Sequence, residues 1–214
     1  QMGSLVYHRV SQYIVDCKYM KLWPNMGGGR IYADAAGATP LSLAVQKELA
    51  RLLGLYGNPG GLHKEAVAAK RELESARERV ATVLGAHRDE IIFTSGGTEA
   101  NNLAQIGAIK DFLGQGEQVH AVTSSIEHSS VLEPLRALKE DGLLLTELEV
   151  DESGFVDPKV LREAIKENTV LISVQMVNSE VGTVQDIREL AKEVRHAKRN
   201  RALDALPLYF HTDA

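Results

Sequence analysis

The chain has 214 residues, a length that holds one large α/β domain or one and a half ordinary ones. Hydrophobic residues make up 44% and charged residues 25%, the balance of a globular protein, and a formal net charge of -5 argues against a nucleic-acid partner. No apolar run approaches the roughly 20 residues of a membrane span, and the single cysteine, Cys17, excludes an internal disulfide and fits a reducing compartment, the cytoplasm by default.

Residues 1–25 mix aromatics with His8, Cys17 and Trp23 in no clean period, and they lack the apolar core of a signal peptide. Met26-Gly27-Gly28-Gly29-Arg30 is a flexible break, so residues 1–30 read as an N-terminal extension or non-native start ahead of a domain over 31–214. A docking or dimer-swapping arm is the functional alternative. Residues 31–34 form a short apolar start that runs into a loop at Ala36-Gly37-Ala38-Thr39-Pro40. Ser42 then caps a helix that Gly54 stops. Residues 56–63 are dense in turn formers and can only be loop. A long amphipathic helix over 64–84 follows, with Ala66, Ala69, Leu73, Ala76, Val80 and Leu84 inward and Gly85 at its end.

From Glu90 a regular alternation begins. Strands are expected over 91–94, 119–124, 143–150, 170–177 and 208–212, and helices over 99–113, 130–140, 158–167 and 187–198. In the first of those helices Leu103, Ile106, Ile109 and Leu113 set the apolar period. The alternation predicts an α/β fold, a mainly parallel sheet with helices on both faces. Ligands in such folds bind beyond the carboxyl ends of the strands.

Those ends carry chemistry. Thr94-Ser95-Gly96-Gly97-Thr98-Glu99 reads as strand end, glycine turn and helix start. Unpaired N–H groups and the positive end of the helix dipole suit a phosphate, two glycines admit close backbone approach, and Thr98 adds a hydroxyl at an N-cap position. The second strand leads into Ser125-Ile126-Glu127-His128, the fourth delivers Asn178, Ser179 and Glu180, and the last delivers His211 and Asp213. A planar aromatic with a phosphate arm and a basic ring nitrogen would use this whole set. Gly97 and Thr98 would hold the phosphate, His128 would lie on the ring, Asp213 would pair with the protonated ring nitrogen, and Asn178 or Ser179 would donate to a ring hydroxyl. That ligand is pyridoxal 5′-phosphate (PLP). A metal at His211-Thr212-Asp213 lacks a third ligand cluster, and a Ser95–His128–Asp213 triad lacks the Gly-x-Ser-x-Gly elbow. Arg195, Lys198, Arg199 and Arg201 form a basic run at a helix C-terminus, a solvated face favoured by the dipole.

Tyr32-Ala33-Asp34…Thr39-Pro40, Gly57-Asn58-Pro59-x-x-Leu62-His63, Phe93-Thr94-Ser95-Gly96-Gly97-Thr98-Glu99, Glu127-His128, Asn178-Ser179-Glu180-Val181-Gly182 and His211-Thr212-Asp213-Ala214 fall in the order, and near the spacing, of cysteine desulfurases. Over 31–214 the chain resembles this family of class V, fold-type I PLP enzymes, of which selenocysteine lyases are close relatives. The resemblance implies the large domain of a PLP-dependent transferase, with Gly97 and Thr98 on the phosphate, His128 stacked on the ring and assisting proton transfer, and Asp213 on the ring nitrogen. It also implies an activity that takes sulfur from L-cysteine, leaves L-alanine and serves a sulfur acceptor or iron–sulfur scaffold protein, in a homodimer.

The chain departs from that family at Ala35 and Ala38, at Gly60-Gly61 where two serines are usual, and at Ser179, which replaces an asparagine with a shorter donor. The family's Schiff-base lysine, persulfide cysteine and small C-terminal domain would all follow Ala214. Cys17 is not in a matching position and no lysine lies at an expected strand end, so the chain alone is expected to be inactive. A class V aminotransferase would use the same cofactor set, and a catalytically inactive remnant of the fold is the non-enzymatic alternative.

Overall fold

The computed structural model describes residues 34–202 and 204–214, so the expected extension lies outside the described residues. Two compact units divide between Phe93 and Thr94.

The first unit contains α1 (Leu43–Leu52), α2 (Lys64–Leu84) and a 3-10 turn (Arg88–Glu90). Ser42 Oγ accepts from the Val45 N–H at 3.3 Å, the expected cap. Arg51 donates to both carboxylate oxygens of Glu72, at 3.1 and 2.8 Å, and so ties α1 to α2. Gly85 ends α2 in the left-handed conformation at φ 67°, where a side chain would be strained. Two expectations fail in this unit. Residues 91–94 form no strand, because no described strand runs beside them; the Arg77 guanidinium donates to the Ile91 carbonyl and lies 5.0 Å over the Phe93 ring. Helix α2 buries Ala66 and Ala81, whereas Val80 and Leu84 are exposed on a face that no described element of the unit covers.

The second unit runs α3 (Gly97–Gly114), β1 (His120–Ser124), α4 (Ser129–Ala137), β2 (Leu144–Leu148), α5 (Pro158–Ala164), β3 (Thr169–Ser173), α6 (Ile187–Asn200) and β4 (Tyr209–His211). The four strands are parallel in the order β2-β1-β3-β4. Side chains alternate across the sheet, so each strand feeds two cores. On one face Ile109 of α3 and Val131 and Leu135 of α4 pack with Ala121 and Leu171. On the other, Leu161 of α5 and Leu190 and Val194 of α6 pack with Val122 and Ile172. Strands β1 and β3 are therefore buried along their whole length, and each fully buried Val, Leu or Ile contributes about 1.5–3 kcal/mol. The expected parallel α/β sheet with both faces covered is what forms.

His120 belongs to this core rather than to a site. It lies between the hydroxyls of Thr169 and Thr146, both at 2.8 Å, and burial pulls its pKa down to about 4. Helix α3 departs from its expected face. It buries Asn101, Gln105 and Ile109, one turn apart, and leaves Leu103 half exposed.

Candidate active site

The strand order places the switch point of the sheet between β1 and β3, where successive connections begin to run in the opposite direction across the parallel sheet and a crevice is expected. A cleft of about 400 Å³ opens there, lined by the loop after β1 (Ser125 to Ser129) and by Gln175 and Asn178 to Val181 after β3. His128 and Ser179 both line it. Beyond β3 the backbone keeps pairing with the last strand: the N–H groups of Val174 and Met176 donate to the carbonyls of His211 and Asp213, at 3.1 and 2.8 Å. Val177 then bridges Val184, closing a tight loop whose reversal uses Gly182 at φ 77°.

The glycine turn leads directly into α3. Gly96 is the N-cap and Gly97 the first helical residue, so Thr98 sits inside the first turn and not at the cap as its sequence position suggested. The reason lies one residue earlier. Both the N–H and the hydroxyl of Ser95 donate to Glu99 Oε2 at 2.6 Å, which fixes the entry angle and takes Ser95 away from any triad with His128. Ala100 makes the first intrahelical bond, to the Gly96 carbonyl at 3.1 Å, and the N–H groups of Gly97, Thr98 and Glu99 have no partner among the described residues. A Cβ added at Gly96 or Gly97 would meet nothing within 4 Å. Neighbouring protein atoms therefore do not require glycine here. What the pair provides is bare backbone facing open space at the positive end of an 18-residue helix.

Two of the expected site residues are joined by a hydrogen-bonded chain. Asn101, one turn past Thr98, donates from Nδ2 to Ser130 Oγ and to Asp213 Oδ2, both at 3.0 Å. Ser130 Oγ lies 2.7 Å from His128 Nδ1, and the Ser130 backbone N–H donates to the same nitrogen at 3.1 Å. The carboxylate after β4 and the imidazole after β1 thus meet through the inner face of α3.

The amide of Asn178 is largely committed to its own loop. Its Oδ1 accepts from the N–H groups of Glu180 and Val181, both at 2.8 Å, and its Nδ2 donates to the Ile126 carbonyl at 2.9 Å. One Nδ2 hydrogen and the hydroxyl of Ser179 remain for a ligand. Beneath the cleft, Glu127 Oε1 accepts from Ser124 Oγ at 2.5 Å and from the Gln175 N–H at 2.9 Å. Its Oε2 is buried with no partner among the described residues, and burial pushes its pKa up to about 7. His211 Nδ1 pairs with Ser173 Oγ at 2.8 Å, and burial moves its pKa downward.

Asn101, Ser130 and Gln175 carry this geometry without standing out in the sequence, and Glu127 stands out there only as the neighbour of His128, with no role of its own. Asn101 could have been singled out from Asn102 only by knowing which side of α3 meets the sheet. Asn102 faces the other way and donates to the Thr98 carbonyl at 2.8 Å.

Comparison with known proteins agrees with this architecture. The aminotransferase class-V family profile matches residues 31–213. The cysteine desulfurase IscS of Dictyoglomus turgidum is 40% identical over 185 residues, covering 86% of this chain and 44% of that protein. The putative cysteine desulfurase IscS 1 of Bacillus subtilis is 40% identical over 189 residues, covering 86% and 46%. Among solved structures, SspA in complex with cysteine superposes with a TM-score of 0.78 at 35% identity, over 86% of this chain and 50% of that one. A NifS-like protein superposes at 0.79 and 31% identity, over 86% and 49%. The chain spans about half the length of the relatives it matches or slightly less. With the fold, the switch-point cleft and the matched span in agreement, this chain belongs to the aminotransferase class-V family.

Proposed function

We propose that the chain is the cofactor-holding part of a PLP-dependent cysteine desulfurase, which removes sulfur from L-cysteine, leaves L-alanine and passes the sulfur to an acceptor or iron–sulfur scaffold protein. The observation that carries this reading is the His128–Ser130–Asn101–Asp213 chain beside a helix start with free N–H groups. The donor set suits PLP. Gly97 and Thr98 offer backbone N–H groups to a phosphate, and no protein atom comes within 4 Å of a Cβ built at Gly97. His128 offers a flat ring, Asp213 its second carboxylate oxygen to the ring nitrogen, and Ser179 with the remaining Asn178 hydrogen a donor to the ring hydroxyl.

When bound, PLP supplies an electron sink for charge developing at the α-carbon of an amino acid. The residues of the chain bind and orient that group, and His128 holds a proton within the cleft. Relatives named cysteine desulfurase support this substrate class, as does the solved SspA complex with cysteine. We further assign residues 31–214 to the large domain and 1–30 to an extension, and expect a cytoplasmic homodimer when the protein has its relatives' length. Among the described residues no helix is long and apolar enough to cross a membrane.

The test is to incubate the 214-residue chain, and a version extended to the relatives' length, with PLP and L-cysteine. Equal amounts of sulfide and alanine are expected from the extended protein and neither from the chain alone. Turnover that needs an added keto acid and releases no sulfide assigns a class V aminotransferase instead, a reading the family's name favours. No turnover of either kind from the extended protein assigns a non-catalytic remnant.

A further inference from the structure

The hydrogen-bonded chain across the site has a defined polarity. A carboxylate only accepts, so the nitrogen of the Asn101 amide must face Asp213, and its second hydrogen then goes to Ser130 Oγ. A backbone N–H only donates, so His128 Nδ1, which accepts from the Ser130 N–H, carries a lone pair. The Ser130 hydroxyl, already accepting from Asn101, therefore directs its own hydrogen to that same Nδ1 at 2.7 Å. The ring proton of His128 is left on Nε2, which has no partner among the described residues, in a side chain that lines the cleft.

We infer that Asn101 is a positioning residue: it ties the Asp213 carboxylate to the Ser130 hydroxyl and so fixes the His128 ring with its proton on Nε2. Asn101 is only 4% exposed and Ser130 only 7%, so water does not readily replace either link. The geometry stands by itself, but its role in orienting two cofactor-facing groups rests on the PLP reading above. On that reading, the cleft presents an imidazole N–H donor, which suits an oxygen or anionic acceptor on the bound amino acid.

The test reads the imidazole ¹⁵N resonances of the labelled 214-residue chain, with His128 assigned by their loss in His128→Gln. The expected spectrum has the proton on Nε2 and a bare Nδ1. Ser130→Ala removes the hydroxyl donor and should lower the excess of the Nε2–H form about tenfold, the worth of one hydrogen bond, while Ser130→Thr restores it. Asn101→Leu, of similar volume and without a second carboxylate beside Asp213, removes the donor that holds the Ser130 hydroxyl oxygen and should lower the excess severalfold. A purely packing role for Asn101 would leave the ratio unmoved in a variant whose backbone amide spectrum stays native. That result overturns the inference, as does a wild-type ring protonated on Nδ1, which decides the matter even if the variants fail to fold. None of these readouts needs the cofactor. Equilibrium dialysis against PLP of the version extended to the relatives' length is run beside them, and absence of binding there with the expected tautomer removes the PLP reading while the positioning role stands.

Discussion

Asn101 Nδ2 and Asp213 Oδ2 lie 3.0 Å apart although 112 positions separate them in the chain. The contact joins the first turns of α3 to the end of β4, so the helix whose first N–H groups have no partner among the described residues also orients the carboxylate. A hydrogen bond to a charged group contributes about 1.5–3 kcal/mol. Asp213→Ala is therefore expected to weaken PLP binding roughly 10- to 100-fold and to leave the affinity for inorganic phosphate unchanged. Paired dialysis measurements with the two ligands check this, and equal losses for both would point to general damage at the site.

Gly97→Ala separates stability from binding. The added methyl meets no protein atom within 4 Å, and alanine favours a helix over glycine by up to about 1 kcal/mol. Thermal unfolding is expected at an unchanged or higher temperature, with PLP affinity reduced at least tenfold on the reading that the phosphate approaches this bare backbone. A variant that binds PLP as the wild type does would show that no ligand approaches this backbone.

Glu127 makes a pH prediction whose sign is unusual for a carboxylate. Its folded pKa is raised to about 7 from 4.5 because burial disfavours the charged form. The folded state thus holds its proton more tightly than the unfolded state, and this contribution is present at low pH and lost as pH rises from about 4.5 to about 7. The full shift corresponds to about 3 kcal/mol. His120 acts oppositely: its contribution is present above 6.5 and lost as pH falls towards about 4, so the two partly cancel in the wild type. Glu127→Gln keeps the acceptor for Ser124 and Gln175. Its stability relative to the wild type is expected to rise by about 3 kcal/mol between pH 4.5 and pH 7.5 in urea titrations, and parallel curves would contradict this.

Asn178→Ala is expected to act first on the loop. Three hydrogen bonds of a buried amide are lost, a cost of about 3 kcal/mol at roughly 1 kcal/mol each. Hydrogen exchange should show faster exchange at the Glu180 and Val181 amides, with those of β1 unaffected. Ser179→Ala, which breaks none of these bonds, is expected to leave the loop protected and to weaken PLP binding only severalfold.

Periodicity and turn chemistry are local, and they were readable. The alternation after Glu90, the glycine turn before α3 and the residues at the ends of β1, β3 and β4 follow from neighbours a few positions apart, and they suffice for a parallel sheet with a phosphate-type turn at its edge. Pairing across the fold is not local. Residues 91–94 look like a strand but need a partner strand to become one, and the side chain of Arg77 takes the Ile91 carbonyl instead. The choice of Asn101 over Asn102, the burial of Glu127 beneath the cleft and the commitment of Asn178 to its own loop depend on which faces meet when the sheet closes. The sequence by itself determined which chemical groups reach the carboxyl edge of the sheet. Tertiary packing alone decided which of them touch, because a hydrogen bond 3 Å long between residues 112 apart leaves no trace in the spacing of either.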